Sequence, residues 1–137
     1  MATLRLPAEW EPQSAVLLAW PHGLGDWADQ LDSIRTEYSA FIQTLLELQP
    51  LVLLVHPADA DELPGFQGPH DLHPIVVDFD DTWCRDYGPI SLLGADRRAR
   101  ALDFIFNGWG GKYDARNDNA VNRTLLAQAV FSSFARE

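Results

Sequence analysis

Three short apolar runs occupy the first part of this chain, and the segment between the first two decides the fold class. Ala15 to Trp20 reads AVLLAW, Leu51 to His56 reads LVLLVH, and Pro74 to Phe79 reads PIVVDF. Short, nearly uninterrupted apolar runs bounded by Pro and polar residues are the pattern of buried strands. From Leu31 to Leu48, by contrast, Leu31, Ile34, Tyr38, Phe41, Ile42, Leu45 and Leu46 recur at helical spacing. Asp32, Arg35, Glu37, Gln43 and Glu47 take the other side, so this segment predicts an amphipathic helix. Pro21 ends the first strand and Pro50 closes the helix. Asp29 or Asp32 is the expected cap of its start. Alternation of strands with a helix predicts an α/β sheet.

The later segments are less regular. Residues 57–71 hold Pro64, Gly65, Gly68 and Pro69 and predict a loop, with one helical turn at Ala58 to Leu63. Ile90 to Leu93 and Ala99 to Phe106 predict a hairpin turning at Gly94 to Arg98. Asn107 to Asn117 is a Gly-rich polar loop. Asp118 or Asn119 is the expected cap of a last helix with Val121, Leu125, Leu126, Ala129, Val130 and Phe134 on one face. There is no repeat and no low-complexity tract. Residues 1–137 are expected to form one domain, and the close of the chain in an apolar helix suggests a portion of a larger one.

Composition narrows the partners. Ten Lys and Arg stand against 20 Asp and Glu, for a formal charge of -10. A nucleic acid partner is therefore not expected, because phosphate binding needs a basic face. A cationic ligand suits the negative potential better. The one cysteine, Cys84, allows no internal disulfide and agrees with a reducing compartment. Met1 to Trp10 holds a single Arg and no apolar core of a signal peptide. The aliphatic run Leu51 to Val55 is far too short to cross a bilayer. The expectation is a soluble, cytoplasmic protein.

Chemistry concentrates in Asp78 to Pro89, Asp-Phe-Asp-Asp-Thr-Trp-Cys-Arg-Asp-Tyr-Gly-Pro. Four carboxylates, an Arg and a Trp follow a buried strand, where ligands of α/β proteins commonly bind. The bland alternative is a solvated acidic loop with Arg85 in a local ion pair. Two sharper readings exclude one another. Asp78-Phe-Asp80-Asp-Thr82 after Ile75-Val76-Val77 resembles the first motif of haloacid-dehalogenase-type phosphatases. That would make Asp78 a nucleophile and Asp80 a general acid, working with Mg2+.

The other reading takes the later half. Asp81-Thr82-Trp83-Cys84-Arg85-Asp86-Tyr87-Gly88-Pro89 resembles the Asp-Thr-Trp-x-Arg-Asp-x-Gly-Pro signature of agmatine deiminases and the related bacterial peptidylarginine deiminases. Pro7-Ala8-Glu9-Trp10-Glu11-Pro12, followed by Ala19-Trp20-Pro21, resembles that family's opening. Phe104 to Tyr113 (FIFNGWGGKY) resembles its next signature. Three segments in order are more specific than one short match, and this reading is preferred.

The residue types suit the chemistry. A guanidinium is planar, cationic and rich in N–H donors. A carboxylate accepts two of them in a fork, and an aromatic face stacks on the plane. The resemblance implies that Asp86 binds the substrate guanidinium and that Trp83 lines the pocket. Trp20 and Trp109 are either pocket walls or core. Cys84 fills the variable position of the signature and is expected to be incidental, although Arg85 beside it would favour a thiolate. His22, His56, His70 and His73 show no metal-ligand pattern.

The resemblance further implies an α/β-propeller, the pentein fold of the guanidine-modifying superfamily. This chain would hold its first module and part of its second. The implied activity is hydrolysis of agmatine to N-carbamoylputrescine and ammonia, a step of putrescine and polyamine metabolism, without metal or cofactor. The nucleophilic Cys and its His-x-Asp partner would lie outside these residues, so the fragment alone is expected to be inactive. A peptidylarginine deiminase, the phosphatase, and a non-catalytic ligand- or partner-binding module remain open. So does homo-oligomerisation.

Overall fold

The computed structural model describes residues 4–96 and 98–133. The three apolar runs form one parallel sheet. Its strands are β2 (Val16–Ala19), β3 (Leu51–Val55) and β4 (Leu72–Val76), in the order β2-β3-β4. Val16 pairs with Leu51 and Leu51 with Leu72. The middle strand is buried along its whole length, which is why it reads as a continuous apolar run rather than an alternating one.

The period of two is nonetheless present, divided between two layers. Leu51, Leu53 and Val55 face Trp20, Ile42 and Leu46, the last two from the helix α1 (Leu31–Leu46). Val52 and Leu54 face Val121 and Leu125, with Ile75, Val77, Phe79 and Tyr87 in the same layer. Val121 and Leu125 belong to α4 (Asp118–Ala127), so the sheet is covered on both faces. Each fully buried Leu or Val contributes about 1.5–3 kcal/mol of transfer free energy. The five residues of β3 are therefore the largest local contribution to the core.

Several expected boundaries move, each for an identifiable reason. The third strand begins at Leu72 and ends at Val76, not Pro74 to Phe79, because the ladder with β3 sets its extent. Only the Val77 N–H continues it, donating to Val55. Pro74 sits inside this strand, tolerated because β4 is an edge. The first helix stops at Leu46, and neither Asp29 nor Asp32 caps it. A 3-10 turn, Ala28–Gln30, runs directly into it, with Gln30 at the cap position and no side-chain bond. The turn expected at Ala58 to Leu63 is a 3-10 turn at Pro57–Asp59, where His56 Nδ1 accepts from the Ala58 N–H.

A second, antiparallel sheet has the order β1-β5-β6, from Leu4–Arg5, Ile90–Gly94 and Ala99–Leu102. The hairpin is as expected except that its second strand stops four residues short of Phe106. Phe104 and Ile105 then leave the sheet and are exposed. The two-residue β1 is too short to show any period in sequence. The final helix is interrupted: α4 ends at Ala127, Ala129 takes φ 54°, and α5 (Val130–Ser133) follows. Leu126 is exposed rather than on the buried face, and Phe134 lies outside the described residues. Among the described residues no helix is long and apolar enough to cross a membrane.

Because β2, β3 and β4 are parallel, the segments after Ala19, Val55 and Val76 all emerge at one edge. There the rings of His22 and His56 stack with centroids 4.8 Å apart, and His22 meets the edge of Phe79 at 4.8 Å. Arg35 of α1 fastens the same edge. Its Nε donates to the Pro21 carbonyl at 2.9 Å, and its Nη2 lies 2.6 Å from Asp59 Oδ1.

Candidate functional site

At that edge the four carboxylates of residues 78–86 part company. Asp78 lies 3.5 Å from His56 Nε2. Asp80 accepts two hydrogen bonds from Asn117, one from its backbone N–H at 3.0 Å and one from Nδ2 at 2.8 Å. Asp81 turns back on its own loop, accepting from the Trp83 N–H at 3.2 Å. Burial raises its carboxyl above the usual range, with Asp26 adding to the effect. Asp86 is exposed, and among the described residues its carboxylate has no hydrogen-bond or ion-pair partner.

The loop that carries Asp86 is firmly held. A single helical turn, α2 (Cys84–Tyr87), follows Trp83. The Gly88 N–H closes it onto the Cys84 carbonyl at 2.7 Å. A Cβ at Gly88 would collide with that same carbonyl oxygen, which is the physical reason for glycine there. The Tyr87 hydroxyl donates to the Asp81 carbonyl at 2.6 Å, pinning the two ends of the loop. Burial drives the phenol pKa far upward and keeps it a donor. Trp27 Nε1 donates to Thr82 Oγ1 at 2.9 Å. His22, Gly25, Asp26, Trp27, Asp80, Asp81 and Thr82 close together at this junction and leave no room there for a ligand. Nothing in the spacing of Asp26 and Trp27 signalled their approach to residues 80–82.

The expected site residues separate by environment. Trp83 is 59% exposed and Trp109 44% exposed, so both indoles are available to a ligand. Trp20 is 2% exposed and packs edge-on against Tyr38 and Phe66. Of its two readings, core describes where it sits, not pocket wall. The guanidinium of Arg35 lies 5.6 Å from its ring. Cys84 is turned inward, its Sγ donating to the Leu17 carbonyl at 3.4 Å. Burial pushes the thiol up to about 11. Arg85 is exposed, and its charge does not offset that burial. Arg85 also makes no ion pair among the described residues, contrary to the bland reading of this stretch.

Trp109 owes its display to an unusual backbone. In the turn α3 (Gly108–Gly111) all four residues have positive φ: 60°, 53°, 82° and 80°. A Trp in that region is uncommon and costs of order 1 kcal/mol. The turn is held by the Gly111 N–H donating to the Asn107 carbonyl and the Gly110 N–H to Asn107 Oδ1. The indole stands between Phe106 and Tyr113, edge-on to both at 5.1 and 5.6 Å. The N–H groups of Lys112 and Tyr113 also turn inward, both donating to the Gly108 carbonyl, and Lys112 Nζ lies 4.9 Å over the Tyr113 ring.

These placements bear on the phosphatase motif. An Asp-x-Asp-x-Thr site needs both carboxylates free to meet phosphate and metal, whereas Asp80 is committed to Asn117. Among the described residues no three His, Cys, Asp or Glu side chains converge to hold a metal ion.

The family model of the Porphyromonas-type peptidyl-arginine deiminases matches residues 5–137. A Legionella pneumophila protein provisionally named an agmatine deiminase is 32% identical over 123 residues, covering 88% of this chain and 35% of its own length. The structure of a C. jejuni agmatine deiminase variant with substrate bound superposes with a TM-score of 0.84 at 31% identity, over 94% of this chain and 38% of that one. A Porphyromonas gingivalis structure provisionally named an arginine deiminase gives a TM-score of 0.76 at 37% identity, over 93% and 38%. The chain thus spans little more than a third of the length of these relatives. By both sequence and architecture, this chain belongs to the Porphyromonas-type peptidyl-arginine deiminase family.

Proposed function

We propose that this chain supplies the guanidinium-recognition part of an agmatine deiminase-type active site. The observation that carries the reading is the isolation of Asp86. Of the carboxylates at 78, 80, 81 and 86, Asp80 is engaged by Asn117 and Asp81 by its own loop, while Asp78 lies 3.5 Å from His56 Nε2, an ion pair when that imidazole is protonated. Among the described residues Asp86 alone of the four has no partner, and it stands three positions from the exposed Trp83. A carboxylate held on a rigid turn accepts two guanidinium N–H groups in a fork. Trp83 and Trp109 offer flat faces for the same cation. The net charge of -10 favours its approach.

The complete reaction needs a nucleophile that these residues lack, since the only cysteine is half-buried, hydrogen-bonded and, with its thiol pushed up to about 11, protonated at neutral pH. In the proposed reaction a Cys thiolate beyond this chain adds to the guanidinium carbon. The C–N bond to one terminal amino group breaks, and ammonia leaves after taking a proton. Water then adds to the thiouronium carbon and gives up two protons, one replacing that taken by the ammonia and one leaving to solvent as ammonium, while the C–S bond breaks and a ureido product and the thiolate are released. Asp86 holds the guanidinium in line and polarises it. With agmatine the product is N-carbamoylputrescine, and the protein is proposed to act in putrescine formation in the cytoplasm. The fold of the complete protein is proposed to be the pentein α/β-propeller.

The description of the matching family favours a second reading, peptidylarginine as substrate. An assay for ureido product, on the gene product read to its natural stop codon and without added metal, separates the two. Agmatine turnover, abolished in Asp86→Ala with folding retained, is the expected result. Turnover of an arginine-containing peptide instead of agmatine would move the substrate. Undiminished turnover by Asp86→Ala would remove Asp86 from the site.

A further inference from the structure

The exposed indoles of Trp83 and Trp109 belong to loops far apart in sequence, and one short polar segment bonds to both stretches of chain. The first two turns of α4 present Asp118, Asn119 and Asn122. Asp118 is 1% exposed, and its Oδ1 accepts from the backbone N–H of Asp80 at 2.8 Å and of Asp81 at 3.2 Å. Asn122, also 1% exposed, donates through Nδ2 to the Tyr87 carbonyl at 2.9 Å and to Asp103 Oδ1 at 2.7 Å. These bonds grip the Trp83–Asp86 loop at its entry and exit. Asn119 brackets Phe106 on the other side. Its Oδ1 accepts from the Phe106 N–H at 2.8 Å, and its Nδ2 donates to the Phe106 and Ala115 carbonyls at 2.8 and 2.7 Å. Phe106 is the residue against whose ring Trp109 rests.

None of these three side chains serves its helix. Neither Asp118 nor Asn119 caps α4, whose cap position is Asn117 without a side-chain bond. Buried polar groups are as a rule hydrogen-bonded, and among the described residues the hydrogen-bond partners of these three side chains lie on the two loops or just before or after them, with the buried Asn122 Oδ1 left without one. A helix whose apolar side is anchored in the core by Val121 and Leu125 makes a rigid base for such bonds.

We propose that Asp118, Asn119 and Asn122 are positioning residues. They tie the Trp83–Asp86 loop and the Phe106–Tyr113 loop to one helix, so that both loops meet a guanidine ligand as one preorganised unit. This rests on the assignment of Asp86 to guanidinium binding. Because their side-chain hydrogen bonds among the described residues go to backbone groups and Asp103, their contribution to binding runs through the loops. Displacing a binding group by about 1 Å is enough to weaken recognition by tenfold or more.

The test is a titration of the isotope-labelled protein with agmatine, followed by NMR at the Trp83 and Trp109 indoles, with amide exchange at Asp80, Asp81 and Phe106. In the unsubstituted protein both indoles are expected to shift together. In Asn119→Ala the Phe106 amide is expected to exchange faster, the Trp109 response to disappear, and agmatine affinity to fall about tenfold, while β3 amides stay protected. Asp118→Ala is expected to do the same at Asp80, Asp81 and Trp83. Asp118→Asn keeps an Oδ1 acceptor and is expected to restore the parent response, which also covers the case in which Asp118→Ala does not fold. An agmatine response that survives unchanged in Asn119→Ala and Asp118→Ala overturns the positioning role alone. No response in the unsubstituted protein overturns the guanidinium assignment, and this inference with it.

Discussion

Asp80 and Asn117 are joined by a pair of hydrogen bonds, carboxylate to backbone N–H and carboxylate to side-chain amide, across 37 positions of sequence. The pair holds the segment after β4 against the start of α4. Both residues are partly solvated, so the pair is worth about 1 kcal/mol. Asp80→Ala is expected to lower unfolding free energy by about that amount in a urea titration, and Mg2+ is expected to leave the midpoint of the parent unchanged. A large Mg2+-dependent rise in the parent, lost in Asp80→Ala, would instead return the acidic stretch to metal-assisted phosphate chemistry.

Arg35 and Asp59 form a more deeply placed pair. Their side chains are 18% and 10% exposed, and their charged atoms stand 2.6 Å apart. Removing one partner of such a pair strands the other, at a cost of about 3–5 kcal/mol. Arg35→Ala is expected to fall in that range by chemical denaturation. The double change Arg35→Met with Asp59→Leu is expected to recover most of the loss, since it leaves no buried charge. A loss in the single variant as small as that of an exposed pair would contradict the placement.

Asp118 makes stability depend on pH in an unusual direction. Burial pushes its carboxyl from 3.8 up to about 6, against the opposing effect of the Asp80 and Asp81 N–H groups. The folded chain therefore holds the proton more tightly than the unfolded chain. This group's contribution is fully present below about pH 4 and is lost as pH rises through about 6. At neutral pH the ionised side chain costs up to about 3 kcal/mol. Asp118→Asn keeps the Oδ1 acceptor without the charge. It is expected to be more stable than the parent at about pH 7.5 and equal to it near pH 4, by urea unfolding at both. A gap that is the same at the two pH values would refute the assignment.

Gly108 and Gly110 share a positive φ but not a surrounding. A Cβ at Gly108 would fall on the Tyr113 carbonyl oxygen, whereas one at Gly110 meets nothing within 4 Å. Gly110→Ala is expected to cost only the backbone penalty, about 1 kcal/mol. Gly108→Ala adds displacement of Tyr113, against which Trp109 rests, and is expected to cost clearly more. Thermal melts with Trp fluorescence read both effects, and equal losses would mean that the turn yields freely.

The parallel core was legible in the chain itself because burial on both faces leaves a one-dimensional trace. The apolar runs of β2 and β3, and the helical stripe that buries Ile42 and Leu46, follow from periodicity that each segment carries alone. The candidate site was half legible. Asp86 and Trp83 stand in one contiguous signature, and the structure leaves both accessible. What separated Asp86 from Asp78, Asp80 and Asp81 was not local: each of the other three is answered by a partner whose position depends on the packing of another element or on the path of the loop. The same holds for Trp20 and Trp109, equivalent as sequence and opposite in exposure, because one points under α1 and the other is carried outward by a left-handed turn. Asp118 and Asn119 looked like helix caps by residue type and place. Only the approach of two loops, set by how α4 packs on β3, turned their side chains into ties between distant segments. Pattern along a chain reports how much a segment is buried; which polar group meets which is decided when the buried faces come together.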